Sequence, residues 1–152
     1  MSMYLQQEFD FVDRTKKILK QYDELKYDEK FEDTLMLNCL VGLLILPQQA
    51  WFDLVPNELL SREKWGIPPE QISYITKDEE KTVSNTARHL RNSISHYRFE
   101  VFGDSDNKID SIKFIDFRDK KTFEAIIQVK SLRDFIEKFS SYMMNVMLQN
   151  KK

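Results

Sequence analysis

The chain has 152 residues, with 23 Lys plus Arg against 25 Asp plus Glu and a net charge of −2. That length allows one domain with a real core and excludes two ordinary ones; the charge excludes a general polycation, so any nucleic-acid contact must come from a local basic patch. Hydrophobic residues at 41% exclude a disordered chain, and only 3 Gly and 4 Pro, against about 11 and about 8 at average usage, disfavour a many-stranded sandwich or barrel and point to long helices.

The opening MSMYLQQEFDF carries acids early and no apolar run, so it does not read as a signal peptide. Residues from about Gln7 to Tyr22 read as an amphipathic helix, with Phe11, Ile18, Leu19 and Tyr22 near helical spacing and lysines opposite. A second helix is expected from about Asp28 to Leu46, ending at Pro47 because proline cannot donate the helical hydrogen bond. Its run LMLNCLVGLLIL is too short to span a bilayer and should form the most buried element, with Asn38 finding an internal partner. Cys39, the single cysteine, excludes an intramolecular disulfide framework and fits a reducing, cytoplasmic setting. Residues 47–76 hold all four prolines and both tryptophans; they read as packed loop with a short helix near Asn57–Trp65.

A third long helix is expected from Lys77 or Asp78 to about His96, with Asp78, Glu79 and Glu80 complementing its dipole. Three short antiparallel strands should follow: Phe99–Phe102, Ile109–Phe117 and Lys121–Val129, the first two joined by a Gly103–Asn107 turn cluster. A last helix begins after Ser131, with Asp134 resembling part of a capping box, and runs to about Gln149. No internal repeat or linker is visible, so the whole of 1–152 reads as a single domain.

On the third helix, Val83, Ala87, Leu90, Ile94 and Tyr97 form one stripe and face the core. Opposite them stand Asn85, His89, Asn92 and His96, a polar stripe without Lys, Glu or Asp. A solvated face usually carries such charges, so this stripe should face a partner, a ligand or a cleft. Its last turn joins Arg91, Asn92 and His96 within one reach. Arginine can clamp a phosphate through two parallel hydrogen bonds, histidine can exchange a proton near neutral pH, and asparagine can orient either. Together they suit chemistry at a phosphodiester. Arg88, His89 and Ser95 are candidates for further phosphate contact. For His89 an internally satisfied hydrogen-bonding role stands beside that reading, and for Arg88 a solvated ion pair does.

Arg91-Asn92-x-x-x-His96 resembles the hallmark of the HEPN superfamily, Arg-x4-6-His with a polar residue after the arginine. The segments FVDRTKKILKQY, FEDTLMLNCLVGLLILPQQ, RHLRNSISHYRFEV and IKFIDF extend the resemblance over most of the chain, toward a plasmid-borne nuclease subgroup. The resemblance implies a mainly α fold: a HEPN-type four-helix bundle with a small antiparallel β-insertion over about residues 98–129 before the last helix. It also implies a homodimer in which two motif helices meet, and metal-independent cleavage of RNA without a cofactor. Catalytic roles would fall to Arg91, Asn92 and His96, in a toxin or anti-phage effector with a cognate antitoxin. Related toxins controlled by a nucleotidyltransferase carry Arg-x4-His-x-Tyr; here Tyr97 follows His96 directly and Arg98 fills the later slot, which departs from that mode of control. The rival readings are a non-catalytic HEPN module that binds RNA, nucleotide or protein, and a plain helical interaction protein.

Overall fold

A computed structural model of the protein describes residues 6–28, 30–105 and 108–150. Helix α1 (Gln7–Glu24) buries Val12 and Thr15; the Thr15 hydroxyl donates to the Phe11 carbonyl at 2.8 Å, which satisfies it inside the packed face. Ile18, expected on that face, is half exposed, because the buried line runs through Val12, Thr15 and Leu19 instead.

Helix α2 (Glu32–Ala50) packs against α1 and two later helices. Met36, Leu40, Leu43 and Leu44 recur at helical spacing and are fully buried. The helix starts later than its sequence suggested and continues past Pro47. A proline in the final turn removes one backbone donor but leaves the preceding turns intact. Asn38 lies on the exposed side, so the expected internal partner is not needed. Gly42 sits where α1 crosses: a Cβ there would run into the Phe11 ring.

The next segment contains two single 3-10 turns, Phe52–Leu54 and Pro69–Gln71, around the short helix α3 (Arg62–Trp65). Only four of the residues expected as a helix near 57–65 are helical. Ser61 caps them by accepting from the Lys64 amide at 3.2 Å, and Gly66, at φ +90°, ends them.

The mainly α expectation is corrected at Ile72–Ile75, read from sequence as loop. These residues form strand β1, which pairs antiparallel with β4. With β2 (Phe99–Gly103), β3 (Ile109–Phe117) and β4 (Lys121–Gln128) they build a four-stranded antiparallel sheet in the order β1-β4-β3-β2. The fold is therefore mixed α and β, with the sheet a structural layer and not a minor insertion in a bundle. ISYI gave no such signal because a four-residue edge strand with one fully buried side chain, Ile72, shows no alternation to read.

Helix α4 (Val83–Ser95) joins β1 to β2, and α5 (Val129–Gln149) follows β4 without a loop. Ser131, expected just ahead of α5, is buried inside its first turn, and Gln128 holds the cap position. The inner face of the sheet presents Ile72, Ile112, Phe114, Phe123, Ala125 and Ile127. Val83, Ala87 and Leu90 of α4 join them in one apolar cluster with Leu132, Phe135, Phe139 and Met143 of α5. No helix among the described residues is long and apolar enough to cross a membrane.

Candidate functional site

Helix α4 begins later than its sequence suggested. Thr82 caps it, its side chain accepting from the Asn85 amide at 3.2 Å. Asp78, Glu79 and Glu80 therefore precede the helix and do not occupy its first turn. That shift lets Glu79 reach along the helix to His89, whose Nε2 lies 2.8 Å from Glu79 Oε2.

The polar stripe does face something: the protein's own strand β3 and the loop ahead of α4. Asn85 donates to the Glu80 carbonyl at 3.0 Å. His89 is 1% exposed, stacked on Phe123 at 4.7 Å, and held between two carboxylates, Glu79 and Asp116. Its Nδ1 is 2.8 Å from Asp116 Oδ2. Nδ1 donates to that carboxylate, and Nε2 has both the Glu79 carboxylate and, at 3.4 Å, an Arg88 terminal nitrogen beside it. Asn92 donates from Nδ2 to the same Asp116 oxygen at 3.0 Å. Asp116 is itself 4% exposed, with the Arg98 guanidinium 3.7 Å away.

The two arginines of the stripe differ. Arg88 donates to Glu79 at 2.7 Å, so its charge is answered within the chain. Arg91 donates through Nε and one terminal nitrogen to the Asn92 amide oxygen, at 3.2 and 2.8 Å. Among the described residues no carboxylate pairs with Arg91. It is partly exposed, and among the described residues its other terminal nitrogen, Nη1, has no hydrogen-bond partner.

Burial pushes the Glu79 carboxyl up, but hydrogen bonding to His89 and the charges of Arg88 and His89 outweigh it and hold the carboxyl below the ordinary glutamate value.

The motif ends in a defined turn. Ser95 and His96 are exposed, and His96 is the residue that closes the helix. Tyr97 takes the left-handed conformation, φ 54°. Its amide donates to the Ile94 carbonyl at 3.0 Å, and the Arg98 amide to the Ser93 carbonyl at 2.7 Å. This is a Schellman closure with tyrosine where glycine is usual. Tyr97, expected on the core stripe, is 84% exposed as a result, because helical periodicity stops before it. The His96 side chain has no hydrogen-bond partner among the described residues.

The structure thus brings Arg91 and Asn92 into direct contact, leaves His96 and Ser95 on the adjacent surface, and takes Arg88 and His89 into an internal network. Sequence reasoning missed Asp116 and Glu79. Asp116 carried a readable signal: it continues the inward series Ile112, Phe114, Asp116 along β3, where an acid breaks the apolar alternation. Glu79 carried none, since its role depends on where α4 begins. No group of three His, Cys, Asp or Glu among the described residues is arranged to hold a metal ion.

A family model described as HEPN pEK499 p136 matches residues 1–150. No curated protein and no solved structure matches the chain.

Proposed function

The chain belongs to the HEPN pEK499 p136 family, and from that premise we propose that it is an endoribonuclease that cleaves RNA by attack of a ribose 2′-hydroxyl on the adjacent phosphorus. The observation that carries this reading is the contrast between the arginines: Arg88 is paired with Glu79, while Arg91, on the same last turn that His96 closes, meets no carboxylate among the described residues, and His96 is exposed.

In the reaction a base takes the 2′-hydroxyl proton as the O2′–P bond forms. An acid gives a proton to the 5′-oxygen as the P–O5′ bond breaks. The products are a 2′,3′-cyclic phosphate and a 5′-hydroxyl. Arg91 binds the phosphoryl oxygens and stabilises the charge that develops on them. His96 is the base or the acid, and Asn92 orients Arg91. Ser95 stands beside His96 as a hydroxyl contact to the backbone of the RNA. One chain supplies one such histidine, so a two-fold homodimer that brings two motif helices together supplies both a base and an acid. The chemistry needs no metal ion, and it suits a toxin or anti-phage effector held in check by a cognate antitoxin.

The test is incubation with mixed-sequence single-stranded RNA in EDTA, beside His96→Ala. The wild type is expected to form cyclic phosphate ends. The variant should be slower by about 100-fold or more, with unchanged stability because the side chain is exposed. Sedimentation under the same conditions should show a dimer. An active monomer would exclude the composite site. Folded protein that binds RNA and leaves it intact would make this a non-catalytic module.

A further inference from the structure

Asp116 lies on a different element from the motif, and yet two donors of α4 converge on one of its oxygens: Nδ1 of His89 at 2.8 Å and Nδ2 of Asn92 at 3.0 Å. A carboxylate only accepts, so the Asn92 amide must turn its nitrogen toward Asp116 and its oxygen the other way. That oxygen is the acceptor for Arg91 Nε and its terminal nitrogen, at 3.2 and 2.8 Å. The direction of one amide is therefore fixed from strand β3, and it fixes the guanidinium in turn.

We propose that Asp116 is a positioning residue for the phosphate clamp, acting through Asn92 to hold the Arg91 guanidinium with one edge tied down and the other presented to the RNA phosphate. This rests on the ribonuclease reading for its substrate, but the geometry is a property of the resting protein. His89 Nδ1 and Asn92 Nδ2 give the buried carboxylate the hydrogen bonds it needs. His89 is held from its far side by Glu79, so Asp116 cannot turn away without unpairing the ring. Arg98, 3.7 Å from the other carboxylate oxygen, supplies positive charge on the remaining side. Without Asp116 the Asn92 amide is anchored only by the Arg91 donors, and amide and guanidinium regain rotamer freedom together.

Arginine Nε–H and asparagine Nδ2–H exchange, followed by nitrogen-15 NMR, reads this geometry without RNA. In the wild type both Arg91 Nε–H and Asn92 Nδ2–H should exchange more slowly than in a free side chain. In Asp116→Ala the Arg91 signal should exchange about tenfold faster, the loss of one charge-assisted hydrogen bond relayed to the next. In Asp116→Asn, which keeps the shape and removes the charge, it should exchange about threefold faster. Cleavage should fall with kcat, and Asn92→Ala with Asp116→Ala should be no slower than Asn92→Ala alone, because the two act in series. A merely structural role would add its own loss to the double variant.

Free-rate exchange of both groups in the wild type overturns the proposal whether or not Asp116→Ala folds. So does an Arg91 signal unchanged in either folded variant, and so does additive loss of cleavage. A wild type that cleaves no RNA removes the ribonuclease reading alone, since the exchange rates still decide whether Asp116 holds Arg91.

Discussion

Tyr97 occupies a backbone conformation that costs an L-residue roughly 1–2 kcal/mol, and its ring is almost wholly in solvent. Its ring meets Phe99 edge-on at 5.1 Å. Tyr97→Gly is therefore expected to stabilise the protein by about 1 kcal/mol, raising the urea midpoint while the Schellman turn persists. A lower midpoint would mean that the Phe99 contact outweighs the backbone strain. Glu79 gives a second residue-scale expectation. Its carboxyl is held below the ordinary value of 4.5 in the folded protein. The unfolded state then binds the proton more readily, so this stability is present above pH 4.5 and is lost as pH falls through the lower folded value. In acid titrations of the unfolding midpoint, Glu79→Gln should show a shallower fall below that pH than the wild type. An equal slope would place the acid sensitivity in other groups.

Between elements, α5 backbone approaches closely at Gly66, which ends α3. A Cβ there would lie 2.6 Å from Asp134 Cβ and 2.7 Å from the Phe135 amide nitrogen, and the glycine is at φ +90°. Backbone on α5 cannot give way as a side-chain tip can. Gly66→Ala combines overpacking with a strained turn, and a loss of about 3 kcal/mol or more is expected in denaturant unfolding. A loss under about 1 kcal/mol would show that α3 can slide on α5. The elements that carry strong periodicity were legible from sequence: the α5 face from Leu132 to Met147, the alternation of β4, and the extent of β3. What was not legible depended on partners distant in sequence. Ile72–Ile75 becomes a strand because β4 is there to pair with it, and Glu79 becomes a ligand of His89 because Thr82 delays the start of α4. At the site, Arg91, Asn92 and His96 could be placed by spacing on one helix. That Asp116 of β3 would face them could not, because spacing within a helix says nothing about the strand across from it.

At the scale of the molecule, the sheet joins strands that the chain makes far apart. β2, β3 and β4 follow one another as a meander, whereas β1 pairs with β4 across the intervening helix and two strands, Ile72 opposite Ala125. Long-range pairing bears a larger loop-closure entropy than hairpin pairing. The meander is thus expected to organise first, with β1 joining after the folding barrier. Ile72→Val, a loss of about 1 kcal/mol, should then speed unfolding about fivefold and leave the folding rate nearly unchanged; slower folding with unchanged unfolding would put β1 in the nucleus. The same order bears on synthesis at the ribosome. The motif on α4 leaves the exit tunnel complete, while the carboxylate that meets it belongs to β3, further along the chain. Until that strand has emerged and folded back, a half-made chain carries Arg91 and His96 without Asp116 to hold Asn92 in place. If the chain cleaves RNA as proposed and the orientation of Arg91 governs that step, the nascent polypeptide stays harmless to the messenger and ribosomal RNA around it until its sheet is built.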